Sequence, residues 1–199
     1  MKKIILLSFI FSLTLNFSAQ DFGIKGGSSF SYYAFGGDED TENTMIYNNP
    51  GFILGGFTQF GQDNIRVTTE LLFIQKGSQQ ELNFNYPLSP TTIRGIFNYI
   101  ESNAMCNFYI SDNSSLNAGV YIAYLTQAAM IVDDSPKEDL DLDVYTDIVR
   151  SDFGINVGAS IYVTDFLQLD ARYGYGLSSV SESFETFNRT IQLTCGLKF

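Results

Sequence analysis

The stretch DFGINVGASIYVTDFLQLDARYGYGL, Asp152–Leu177, decides the fold. In its first half every odd position is apolar, from Phe153 through Ile155, Val157, Ala159 and Ile161 to Val163, while the even positions hold Asp152, Gly154, Asn156, Gly158, Ser160 and Tyr162. After Thr164, Asp165 and Phe166 the alternation resumes, with Leu167, Leu169, Ala171, Tyr173, Tyr175 and Leu177 on one face and Gln168, Asp170, Arg172, Gly174 and Gly176 on the other. A period of two over this length predicts two antiparallel strands, each with one apolar and one polar face. Each strand also has about the 9 to 11 residues that a tilted strand needs to cross a bilayer.

Alternation alone does not say which face meets water, and the composition of the polar face decides it. A water-facing strand carries Lys, Glu and Thr, whereas this face carries Gly, Ser and Asn with isolated charges. Small polar residues beside an occasional large one suit the interior of a narrow barrel. The face rich in Ile, Val, Leu and Tyr then meets lipid.

The same pattern recurs along the chain. Apolar outward sets are predicted at Phe22–Tyr33, Gly51–Phe60, Val67–Phe73, Arg94–Ile110, Leu116–Tyr124 and Ile191–Phe199, which with the hairpin gives eight strands. Three turns are short (Gly61–Asn64, Ser111–Ser115 and Thr164–Phe166), and they alternate with four longer loops, Ala34–Pro50, Gly77–Thr92, Gln127–Asp147 and Ser178–Thr186. The expected fold is all-β, an eight-stranded antiparallel up-and-down transmembrane β-barrel with periplasmic turns, extracellular loops and both termini on the periplasmic side. Pairing of the first and last strands removes the sheet edges that hydrocarbon could not satisfy.

Composition narrows the setting. Lys2, Lys3, the apolar run Ile4–Leu15 and the segment ending at Ala19 have the three parts of a secretory signal peptide, so residues 1–19 are expected to be removed and residues 20–199 to form the barrel domain. The formal charge is -11, and an acidic chain of this kind excludes nucleic-acid binding by bulk attraction. Phe and Tyr number 18 and 12 with no Trp, which suits strands and interfacial aromatic belts. Cys106 and Cys195 fall on the apolar faces of distant strands, too far apart for a disulfide, and are expected as unpaired lipid-facing thiols.

The chain contains no histidine, which excludes His-based triads and dyads; no motif singles out a Ser-Lys arrangement, no cofactor is implied, and the protein is not expected to be an enzyme. The inward carboxylates Glu70, Glu101, Asp152 and Asp170 and the inward cations Lys25, Arg66, Arg172 and Lys198 must pair in a narrow lumen, because an isolated buried charge is costly. They read as a structural plug, with a proton or ion path as the alternative; eight strands are too few for a wide pore. The acidic segment 127–147 has carboxylates suited to a hard cation but not the EF-hand spacing, so a solvated loop is the simpler reading. Met45, Ile46, Tyr47, Leu82, Phe84, Tyr86, Met130 and Ile131 fall in predicted loops, where they would form a partner-binding rim or extend the strands above the membrane.

Several segments resemble the PorT-like outer-membrane β-barrel family of Bacteroidetes-type bacteria: GIKGG at Gly23, ELLFIQKG at Glu70, NYIESNAMCNFYI at Asn98, AGVYIAYL at Ala118, the two halves of the hairpin and the closing LKF. Order and spacing carry the resemblance more than any one segment, and Ser102–Asn107 departs from it in being less apolar. It implies residence in a Gram-negative outer membrane and, for the best-known members, an accessory role in protein export. A terminal Phe resembles the signal by which the barrel-assembly machinery selects its clients, so Phe199 is the expected assembly contact, with a plain lipid-facing aromatic as the alternative. The expected partners are outer-membrane lipid, the assembly machinery and an envelope or extracellular protein held by the loops of a monomer. A narrow small-solute channel is the remaining alternative.

Overall fold

The structure is a computed structural model that describes residues 21–35, 50–62, 64–82, 91–132, 138–140, 148–181, 183 and 185–199. The signal-peptide reading of residues 1–19 lies outside them, as do Met45, Ile46, Tyr47, Phe84 and Tyr86. Among the described residues there are nine strands: β1 (Asp21–Phe35), β2 (Gly51–Gln62), β3 (Ile65–Leu82), β4 (Thr91–Ser111), β5 (Ser114–Val132), β6 (Glu138–Leu140), β7 (Ser151–Tyr162), β8 (Leu167–Ser179) and β9 (Thr186–Lys198). Eight of them pair antiparallel with their chain neighbours. The ring closes where β1 pairs with β9, from Gly23↔Lys198 to Phe35↔Thr186. The short β6 is the exception, adding to β5 through Ala128↔Leu140, Ala129↔Asp139 and Met130↔Glu138 beyond the point where β7 takes that edge.

Side chains sort as the alternation requires. Along β7 the burial alternates from exposed Ser151 and buried Asp152 through Asn156, and Ile122, Phe153, Ile161 and Leu54 on the outer face are each more than half exposed. A continuous outer band of Ile, Leu, Val and Phe far exceeds what a water-soluble surface carries, and it fits hydrocarbon. Cys106 and Cys195 are free and lie on this face.

The inner face is crowded. Gly154 and Gly158 point inward, and a Cβ at either would run first into the neighbouring strand's backbone, the carbonyl oxygens of Tyr175 and Ala171, and then into Tyr121 Cε1 at 2.7 Å and Arg172 Cγ at 2.8 Å. These glycines make the room that two large lumen side chains occupy.

Three loop boundaries differ from those the sequence predicts. β3 continues to Leu82 and β4 starts at Thr91, so the second loop is shorter than Gly77–Thr92; β5 runs to Val132, so Met130 and Ile131 are half-buried strand residues. The cause in β5 is a register break. Asn98 pairs with Gln127 and Tyr99 with Leu125, leaving Thr126 as the extra residue of a bulge whose hydroxyl donates to the Asn98 carbonyl at 2.9 Å. The bulge inverts the alternation, and from there the strand no longer has a two-residue period.

Placing an arginine on the outer wall tests the lipid-facing assignment. Val120→Arg, in mid-strand, is expected to cost about 2–4 kcal/mol, against at most about 1 kcal/mol for Ile110→Arg beside the Ser111–Ser114 turn, in reversible unfolding from lipid vesicles. Equal costs at the two positions would place the outer face in a uniform solvent.

Candidate functional site

The lumen holds two charged clusters stacked along the barrel axis. In the first, nearer the short turns, Lys25 on β1 lies between Glu70 on β3 and Asp170 on β8, with Nζ 2.6 Å from Glu70 Oε1 and 2.9 Å from Asp170 Oδ2. Arg172, two residues along β8, forks onto the same Glu70, Nη1 to Oε2 at 2.6 Å and Nη2 to Oε1 at 2.9 Å. The second carboxylate is completed by neutral donors: Ser160, Gln168 Nε2 at 3.2 Å and Thr194 Oγ1 at 3.3 Å all reach Asp170. Two cations face two carboxylates.

The second cluster, toward the long loops, centres on Lys76 of β3. Its ammonium is 2.8 Å from Glu101 Oε2 and 3.1 Å from Asp152 Oδ2, and it lies 4.5 Å and 5.1 Å from the ring centroids of Tyr121 and Tyr99. Asp152 also accepts from Asn188 Nδ2 at 2.8 Å, Ser178 Oγ at 3.2 Å and the Tyr121 hydroxyl at 3.3 Å. A chain of amides extends from the second cluster toward the first: Asn156 donates to Asn103 at 2.6 Å, and Asn103 donates to Glu101 at 3.2 Å. None of the seven charged residues is more than 4% exposed, so the three cations and four carboxylates are met by one another and by neutral protein donors rather than by bulk water.

Of the eight lumen charges expected from sequence, six lie in these clusters. Arg66 and Lys198 instead sit at the turn end, where both approach Asp21 (3.8 Å and 3.2 Å) and remain partly exposed. Arg66 also stacks 4.6 Å over Tyr109, whose ring packs on Tyr162 at 5.3 Å with the two hydroxyls 2.7 Å apart. Phe199 lies outside the lumen. Its N–H donates to the Phe22 carbonyl at 2.8 Å, its ring is 5.7 Å from that of Phe22, and it is 65% exposed.

Sequence reasoning missed Lys76, which organises the second cluster. Its parity with Glu70 and Leu72 was the available signal, and the polar run from Gln75 to Glu81 hid it by resembling a loop. Parity turns Leu72 and Tyr99 inward but does not show that they belong to an apolar half of the lumen, which sequence reasoning missed as a unit. Ile53, Leu72, Ile74, Tyr99, Tyr121, Leu125 and Ala128 form a buried cluster against which Phe97, Leu140 and Ile148 pack. Of the acidic segment 127–147, the described carboxylates Glu138 and Asp139 are exposed on β6, and Asp139 accepts from Gln127 at 3.1 Å. No group of three or more metal-ligating side chains occurs among the described residues.

A closed antiparallel ring with an apolar exterior and a polar, ion-paired interior has one setting in water or lipid, and comparison with known proteins agrees with it. The family model described as "Outer membrane protein beta-barrel domain" matches residues 11–182. The chain belongs to that family. This outer-membrane barrel is also similar to solved structures of Yersinia pestis Ail, the attachment invasion locus protein (20% identity, 90% of this chain and 98% of that one, TM-score 0.48), and of neisserial surface protein A (14%, 89% and 95%, 0.46). Escherichia coli outer membrane protein W is similar at 14% identity, over 91% of this chain and 98% of that one, with a TM-score of 0.41. No curated protein matches it.

The ion pairs make a sharp energetic prediction. Lys76→Met leaves Glu101 and Asp152 buried without their shared cation and is expected to cost about 3–5 kcal/mol. Lys198→Met, at the partly exposed mouth, should cost no more than about 1 kcal/mol. Urea unfolding from vesicles measures both, and adding Asp152→Asn to Lys76→Met should recover part of the larger loss.

Proposed function

We propose that the protein is a non-enzymatic, monomeric outer-membrane barrel whose lumen is a structural plug and whose loop end is the interaction surface. The observation that carries this reading is the pair of ion-paired clusters across the lumen, backed toward the loops by the apolar cluster. A conducting path needs polar groups that can exchange partners with water. Here the charged groups of both clusters are buried and already paired, so a solute would have to break several charge-assisted hydrogen bonds at once. This argues against the narrow small-solute channel and against an ion path.

With the interior filled, binding is left to the exterior. The outer band takes outer-membrane lipid; the ring orients its short turns to the periplasm and its long connections to the cell exterior, where they would hold an envelope or extracellular protein. The exposure of Phe199 beside Phe22 on the closing seam supports its role as the residue that the barrel-assembly machinery would grip. The resemblance to PorT-like barrels of Bacteroidetes-type bacteria favours a second reading, an accessory role in protein secretion; under either reading residues 1–19 would serve as the cleaved export signal.

Two measurements separate these readings. Recordings from the purified barrel in planar bilayers are expected to show no discrete conductance steps, and reproducible steps would overturn the plug. Deleting the gene should leave the set of secreted proteins unchanged if the loop-end surface acts on its own, whereas loss of a defined set would establish the secretion role.

A further inference from the structure

A cavity of about 170 Å³ lies at the loop end of the lumen, lined by Tyr33, Phe97, Tyr99, Ile148, Val180 and two hydroxyl residues, Ser181 and Thr186. Its walls belong to β1, β4 and β9, and two connecting segments fold over them. Those segments are pinned by backbone bonds. Ile148 bridges to Ser181, Val149 N–H donates to the Val180 carbonyl at 3.0 Å, Val180 N–H donates to the Thr186 carbonyl at 2.8 Å, and Leu125 N–H donates to the Arg150 carbonyl at 2.7 Å. The cavity is therefore built into the fold. Tyr33 and Phe97 meet edge to face in its wall, 6.0 Å apart at 75°.

We propose that this cavity is a binding site for a compact single-ring aromatic molecule carrying one hydrogen-bonding group. Three features select that class. The volume is close to that of an engineered apolar cavity of about 150 Å³ that stays dry and takes up benzene. The rings of Tyr33, Phe97 and Tyr99 offer edges and faces to an aromatic guest, which an aliphatic guest would leave unused. The lining is almost wholly apolar, with the hydroxyl-bearing Ser181 and Thr186 among its residues, so one polar substituent is accommodated and several are not. The site is a dead end. Tyr99, which forms its wall, also packs over the Lys76 ammonium, so the buried charges lie immediately beneath, and a long chain cannot thread through. The inference stands apart from the reading of the loops as a protein-binding surface, since it concerns a pocket within the barrel mouth.

The test uses the full barrel in lipid nanodiscs with 4-fluorophenol as probe, followed by ¹⁹F resonance titration against empty nanodiscs. Saturable binding is expected, with contacts between the probe's ring protons and the methyl groups of Ile148 and Val180. Val180→Trp and Ile148→Trp, each filling the cavity, should weaken binding at least tenfold while the barrel still migrates as a folded, heat-modifiable species. The absence of saturable binding overturns the proposal. So does binding of unchanged affinity in a folded filled variant, or saturable binding without contacts to Ile148 and Val180. The contact measurement needs no variant and decides the matter if neither substituted barrel folds.

Discussion

The fold depends on one constraint: inside hydrocarbon every backbone N–H and C=O must find a partner within the protein. An open sheet fails this test at its two edges, and the β1–β9 pairing removes both. Above the lipid the same backbone groups are satisfied without a full ladder. β2 stops pairing with β3 at Ile53↔Ile74, yet β3 continues. There β1 takes over through side chains: Ser29 donates to the Gln75 carbonyl, and the Ser31 hydroxyl donates to the Gly77 carbonyl at 2.9 Å while accepting from the Gly77 N–H at 2.7 Å. Two serines thus stand in for a missing stretch of strand.

Closure with eight strands leaves a lumen only as wide as its own side chains, and that width dictates its chemistry. The first cluster joins β1, β3 and β8; the second joins β3, β4 and β7. Except for β3 with β4, these strands are not neighbours in the sheet, so the ion pairs act across the barrel, where ladder hydrogen bonds cannot. They fix the cross-section and oppose a slip of register, since moving any strand by one residue would turn its charge toward lipid. A hydrophobic filling of equal volume would be no less stable, but it would not discriminate among registers in this way.

Most of the membrane-embedded part was legible in the sequence, because lipid outside and a polar lumen inside force a two-residue period on every strand. The hairpin of β7 and β8 shows this most plainly, and the inward Lys25, Glu70, Glu101, Asp152, Asp170 and Arg172 followed from parity. What parity cannot state is which inward charges meet, because that depends on stagger between distant strands. Legibility also fails above the lipid. The strands β3, β4 and β5 continue there with water on their outer face, so Gln75–Glu81 is polar on both faces and resembles a loop, and the Thr126 bulge inverts the remaining alternation. The apolar cluster escaped as a unit for a related reason: parity turns Leu72 inward, but that it meets Ile53, Ile74, Tyr99 and Tyr121 depends on stagger between strands.

The boundary of the membrane at the loop end can be placed from the side chains themselves. Arg189 lies on the opposite face of β9 from Asn188, and a charge there is tolerated only if it is covered. Its guanidinium stacks 3.5 Å over the Tyr175 ring, and Nη1 donates to the Gly176 and Asn188 carbonyls, both at 2.9 Å. This is where the β8–β9 register breaks, between Tyr175 and Ser179, so the arginine satisfies a carbonyl beside the break. Tyr32, which pairs with Arg189, has its hydroxyl 3.2 Å from that of Tyr173. Hydroxyls and a stacked cation at one level mark an interfacial girdle rather than the hydrocarbon core. Thr186 lies three residues farther along β9, about 10 Å at the rise of a strand. Thr186, in the cavity's wall, therefore lies on the aqueous side of the girdle, while Tyr33, which pairs with Asn188, lies at the girdle itself, so the cavity begins where the hydrocarbon ends.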